Sequence, residues 1–175
     1  YGFRPGRSAH QAILEAKRYM EEGRHWVVDV DLEKFFDRVN HDLLMGRLAR
    51  RIEDRRVLKL IRGFLKAGML ADGVVIERSE GTPQGGPLSP LLANVYLHYA
   101  LDLWFERVFR KTCTGAARMI RYADDFVVCF QNGPEAARFR EELTARLAKF
   151  GLEVEPSKTK VLEFGPSAAS RAKRR

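Results

Sequence analysis

Cysteine is scarce in this sequence: of 175 residues only Cys113 and Cys129 carry a thiol, and neither stands in a Cys-x-x-Cys or Cys/His spacing. That excludes a disulfide scaffold and a thiolate metal finger, and fits two reduced core thiols in a cytosolic protein. A membrane-spanning run is missing as well. The longest apolar stretch, Pro87 to Phe105, is interrupted by Pro90, His98 and Asp102, and no basic-then-apolar leader opens the chain. A soluble protein is therefore expected. No Gly-x-x-x-x-Gly-Lys-Ser/Thr loop occurs, which leaves a nucleotide hydrolase of that type unsupported. The histidines, His10, His25, His41 and His98, lack metal-ligand spacing. Neither an internal repeat nor a linker divides the chain, so one domain is expected.

What is abundant is positive charge. The 31 Lys and Arg outweigh 23 Asp and Glu, giving a net charge of +8. Such a surface favours a polyanionic partner, because basic side chains displace counterions from phosphate backbones. Much of it falls in Arg47, Arg50, Arg51, Arg55, Arg56, Lys59, Arg62 and Lys66, the polar side of a helical pattern. A merely solvated face is the commoner reason for such a pattern.

The order of elements reads helix, strand, helices, strand, helix, hairpin, helix, hairpin. Ser8 caps a helix that stops at Gly23, and His25 to Leu32 alternates with Asp29 and Asp31 on the polar face of a strand. Helical patterns follow through Phe35–Leu48 and Val57–Leu65, then a short strand at Val74–Glu80 and a Gly/Pro turn at Gly81–Pro90. Leu91–Val108 has the spacing of a buried helix, and Arg118–Phe130 reads as a hairpin with acidic residues at its tip. A helix over Pro134–Phe150 and a hairpin over Leu152–Phe164, turning at Pro156-Ser157, close the pattern. Mixed elements without βαβ alternation predict an α+β fold, an antiparallel sheet backed by helices on one face.

Tyr122-Ala123-Asp124-Asp125 puts adjacent carboxylates at a tight turn between apolar strands. Like charges this close repel, and the pair wants a cation; an ordinary Asp-rich turn is the competing reading. Asp31, brought beside them, would complete a hard oxygen site suited to Mg²⁺. Asp29 shares its face but lies about 6.6 Å back along the strand, as a supporting or merely exposed residue.

Three segments together resemble reverse transcriptases, most closely bacterial group II intron-encoded proteins: Tyr122-Ala123-Asp124-Asp125, the run from Val28 to Asp37, and Gly81-Thr82-Pro83-Gln84-Gly85-Gly86-Pro87-Leu88-Ser89-Pro90. The opening Gly-Phe-Arg-Pro-Gly-Arg-Ser block and Glu155-Pro156-Ser157-Lys158-Thr159-Lys160 fit in the same order. The resemblance implies an RNA-directed DNA polymerase palm with part of the fingers and no thumb. It implies residues 1–24 as a partial fingers segment, 25–166 as palm with finger-side helices over about 43–80, and 167–175 as a basic tail, truncated or disordered. By the same resemblance Asp31, Asp124 and Asp125 hold two Mg²⁺ ions, for which Mn²⁺ can substitute. Phe36 crowds the sugar 2′ position, Gln84 borders the incoming nucleotide, and Lys158 approaches its triphosphate, while Arg4 and Arg7 contact nucleic acid. The implied partners are an RNA template with a DNA or RNA primer, deoxynucleoside triphosphates and intron RNA, in a bacterial cytoplasm. Plain alternatives stay open for three of these: core packing for Phe36, a structural turn for Gln84, a solvated lysine for Lys158. A non-catalytic RNA-binding maturase remnant is the alternative for the whole chain.

Overall fold

The computed structural model describes residues 1–67, 69–71, 74–76, 80–82, 86 and 88–164. Ser8 is a helix cap as expected: its hydroxyl accepts the Gln11 amide at 3.2 Å while Gln11 Oε1 accepts the Ser8 amide at 3.0 Å. From this reciprocal box runs α1 (Ala9–Glu21), and β1 (Trp26–Val30) follows. A 3₁₀ turn at Phe35–Asp37 leads to α2 (His41–Leu48), capped by Asn40, and α3 (Arg55–Lys66), capped by Asp54. Next, β2 (Met69–Ala71) and β3 (Val74–Ile76) pair as a separate antiparallel ribbon. Reading a single strand here missed β2, because three residues are too few to show a period of two.

α4 (Ser89–Leu97) does not end where a regular helix would. It continues through π-helical stretches at His98–Asp102 and Phe105–Phe109 to a 3₁₀ finish at Arg110–Thr112. The hairpin of β4 (Ala117–Tyr122) and β5 (Asp125–Phe130) then precedes α5 (Gly133–Ala148) and β6 (Lys160–Glu163). From α5, Arg146 donates to the Ala100 and Tyr99 carbonyls at 2.9 and 3.0 Å, satisfying backbone beside the first π stretch.

Four strands form one sheet in the order β4-β5-β1-β6, with every neighbouring pair antiparallel. Its core face carries Val28, Val30, Val128 and Phe130, all buried against Phe105 and Phe109 of the long helix and Phe139 and Leu143 of α5. Phe139 is the hub: its ring lies 5.1 Å from Phe109, 5.4 Å from Phe130 and 5.9 Å from both Phe105 and Trp104. Each such pair adds about 0.5–1.5 kcal/mol beyond the area it buries.

Two expectations need correction. Helices do not all lie on one face, since α1 lies over β4 and β5 on the opposite side, beside Ile120 and Val127. Nor is Leu152–Phe164 a hairpin. Both of its halves lie along the same edge of β1: Val154 bridges Leu32, and Lys160 pairs with Asp29. Between them Glu155–Thr159 bulges outward, with the Thr159 amide donating to the Glu155 carbonyl at 3.0 Å. Pro156 has no N–H to give to a ladder, so it marks an interruption of one strand rather than a reversal between two.

Candidate active site

The site grows from the ends of β1 and the β4–β5 hairpin. Val30 pairs with Phe126 as the last step of the β1–β5 register, so Asp31 and Asp125 are the next residues at that same end of the two strands. Tyr122 pairs with Asp125, which leaves Ala123 and Asp124 as a two-residue loop. Ala123 sits at φ 55°. A left-handed conformation costs a residue with a Cβ about 1–2 kcal/mol and persists only where its surroundings impose it.

Asp124 is half-buried at this tip. Burial above all, then the charges of Asp125 and Asp31, push its carboxyl above the ordinary carboxylate range; a backbone hydrogen bond and the Arg121 guanidinium pull the other way. The three aspartates singled out in the sequence thus share one electrostatic neighbourhood, although they are remote in the chain. Among the described residues, no three His, Cys, Asp or Glu side chains close into a group able to hold a metal alone. The set is an open one.

The bulge in the edge strand grips Asp31. Its carbonyl accepts the Glu155 amide at 2.9 Å, its amide donates to Thr159 Oγ1 at 3.4 Å, and Lys158 Nζ stands 3.5 Å from its Oδ2. A cation therefore already faces this carboxylate. Oxygen donors, like charges needing relief and room for other ligands match the demands of Mg²⁺, which takes one or two carboxylates and keeps water or phosphate in its remaining positions.

Phe36 is partly buried, its ring 5.2 Å from that of Phe35. Its carbonyl accepts the Thr82 amide at 2.6 Å, the Gly81 amide donates to Val39 O at 2.8 Å, and His41 Nε2 meets Gly81 O at 2.6 Å. Gly81 has φ 86°, and a Cβ there would fall 2.9 Å from the Phe36 and Asp37 carbonyl oxygens. Only glycine fits. Gln84 itself lies outside the described residues; before it, the Thr82 amide is held by the Phe36 carbonyl, and after it, Gly86 lies beside Phe64.

Asp29 is exposed on β1 and, with Asp125 and Tyr122, lines a cleft of 330 Å³ beneath Ala12 and Ile13 of α1. Arg4 and Arg7 are exposed on the N-terminal loop, whose Gly2 lies against the turn. Sequence reasoning missed two groups. His41, passed over for lack of metal spacing, is buried and anchors Gly81. Arg121 is buried beneath the turn together with Asn94. The signal for Arg121 was its parity with Ala117 and Met119, which makes it a charge on the core-facing side of β4.

Comparison with known proteins bears on this arrangement. The family model described as reverse transcriptase (RNA-dependent DNA polymerase) matches residues 1–171. Protein YkfC of Escherichia coli is 35% identical over 92% of this chain and 50% of its own length. The group II intron-encoded protein LtrA of Lactococcus lactis is 46% identical over 56% of this chain and 16% of its own. A telomerase from Candida tropicalis, solved in complex with a fragment of telomeric RNA, shares the fold with a TM-score of 0.71 at 14% identity, over 91% of this chain and 30% of that one. The chain spans about half or less of each of these relatives. Among the described residues no helix is long and apolar enough to cross a membrane. Family model, relatives and fold agree that the chain belongs to the reverse transcriptase family.

Proposed function

We propose that this chain is the catalytic palm of an RNA-directed DNA polymerase, serving nucleotidyl transfer at Asp31, Asp124 and Asp125. The observation that carries the reading is the register that ends at Val30 and Phe126, just before Asp31 and Asp125, together with Asp124, raised by burial first and then by the charges of Asp125 and Asp31. The primer 3′-hydroxyl attacks the α-phosphate of a deoxynucleoside triphosphate and pyrophosphate leaves. Bound Mg²⁺, as two ions or with Mn²⁺ in its place, would stabilise the attacking and leaving oxygens. The chain's own part is to gather the carboxylates at one end of the sheet and orient them. Phe36 stands as a wall at the sugar, the Gln84 loop borders the nucleotide, and Lys158 moves from Asp31 to the triphosphate. Arg4 and Arg7, with the arginines of α2 and α3, meet the backbones of an RNA template and its DNA or RNA primer. The 46% identity to a group II intron-encoded protein supports intron RNA as a further partner, and a bacterial cytoplasm as the setting.

Primer extension on an RNA template by the full protein tests this. Activity that survives Asp31→Ala and Asp124→Ala together would sink it. A second reading, RNA binding by a maturase remnant without polymerisation, is favoured by the open ligand set among the described residues. It requires RNA binding indifferent to those two substitutions and no extension by the parent.

A further inference from the structure

The turn that presents Asp124 and Asp125 is strained at Ala123, so something must impose its shape. Arg121 is placed to do so. Its guanidinium is almost wholly buried and forks onto Asp102, Nε to Oδ1 at 2.8 Å and Nη2 to Oδ2 at 2.7 Å. Its Nη1 donates in two directions, to Asn94 Oδ1 at 2.8 Å and to the Ala123 carbonyl at 2.7 Å. Asn94 in turn donates to the Gly2 carbonyl at 3.0 Å. Gly2 closes the circuit from the far side, since a Cβ there would fall 2.7 Å from the Ala123 nitrogen.

We propose that Arg121, locked by Asp102 and Asn94, is a positioning residue that holds the left-handed Ala123 and so aims Asp124 at the metal site. Three properties make this more than core packing. The guanidinium is planar, and its fork onto Asp102 fixes both its place and its orientation, which an ammonium would not. Asp102 lies at the end of a π-helical stretch that continues the helix carrying Asn94, so both anchors come from one continuous helical segment. The bond to Ala123 reaches the one strained peptide between the two strands. Arg121 touches neither substrate nor metal in this scheme; it acts through the turn.

The proposal rests on the metal-site reading above, and the test separates the two. Mn²⁺ binding to the protein is measured by electron paramagnetic resonance, alongside thermal melting without metal. Asp31→Asn and Asp124→Asn report on the site: parent binding that neither change weakens overturns the metal-site reading itself, and this proposal with it. Arg121→Lys keeps the charge and loses the fork. It is expected to weaken Mn²⁺ binding on the order of tenfold to a hundredfold, the usual effect of freeing a ligand from its support. The deciding arm is the double variant Arg121→Lys with Ala123→Gly, in which glycine adopts the left-handed turn without the guanidinium. Recovery of most of the lost affinity is expected. Unchanged binding in Arg121→Lys, or a loss that Ala123→Gly leaves in place, overturns the positioning role. Should Arg121→Lys fail to fold, Asn94→Ala removes one guanidinium anchor and the Gly2 link, and its affinity is read by the same two criteria.

Discussion

Removing Lys158 should tighten metal binding and weaken nucleotide binding, and the opposite signs are the point. Lys158 Nζ lies 3.5 Å from Asp31 Oδ2, with side chains 66% and 39% exposed. At that separation Coulomb's law in a water-like dielectric gives about 1 kcal/mol. Exposed pairs measured directly reach roughly 0.2–1 kcal/mol once side-chain ordering and screening are counted. A metal that takes over Asp31 must first displace this ammonium. Lys158→Met is therefore expected to raise Mn²⁺ affinity up to about fivefold at low ionic strength, since 1.4 kcal/mol is tenfold. The gain should shrink at about 1 M salt, where the Debye length falls to roughly 3 Å. The assay is titration of the metal-free protein at two salt concentrations. In steady-state extension the same variant should show a higher KM for the nucleotide, because the triphosphate has lost its cation. A fall in Mn²⁺ affinity, or a gain indifferent to salt, would refute the idea that Lys158 stands in for the metal at Asp31.

Asp124 makes stability depend on pH in the direction opposite to a salt-bridged aspartate. Its carboxyl lies above the ordinary range in the folded protein, so folding takes up a proton there at pH values between the unfolded and the folded one. The stability it contributes is present below the unfolded value and is lost as pH rises through the folded one. In chelator, Asp124→Asn should melt higher than the parent at neutral pH, the difference closing at acid pH; a difference independent of pH argues against it. Phe139→Ala should destabilise by about 3–5 kcal/mol in urea unfolding, as removal of a core aromatic does. His41→Ala leaves the Gly81 carbonyl without its partner and should cost about 1–3 kcal/mol. It should also loosen the backbone there, visible as faster amide exchange at Gly81 and Thr82. Phe36→Ala should let the full protein incorporate ribonucleotides, measured as the ratio of kcat/KM for the two sugars; an unchanged ratio would favour core packing alone.

Much of the site was legible because its chemistry depends on local signals. The period of two in β1 put Asp31 on the polar face, and apolar strands on either side of Ala123-Asp124-Asp125 marked a hairpin tip. What brings them together is a strand register, and register is a property of pairing that one strand cannot announce. The same limit explains the edge strand. Pro156-Ser157 has ordinary turn chemistry, and nothing local says whether the chain beyond it reverses or resumes along the same neighbour. Arg121 hid for another reason: its burial is acceptable only because Asp102 and Asn94, from a helix earlier in the chain, satisfy it. Short β2 and the second face covered by α1 were likewise set by tertiary packing, not by propensity.

The π-helical stretches of the long helix have a consequence for how this segment tolerates change. Each residue of a regular helix advances the chain by about 100° around its axis, so an added or lost residue re-aims everything beyond it. His98–Asp102 faces Arg121 under the turn, while Phe105–Phe109 turns its rings into the Phe139 cluster. One rod thus serves two layers with different phase requirements, and its widened turns act as phase adjusters between them. A single-residue deletion anywhere from His98 to Phe109 would leave composition, hydropathy and charge nearly untouched. It would nonetheless rotate one half against the other, so that either the aromatic hub or the carboxylate turn loses its support.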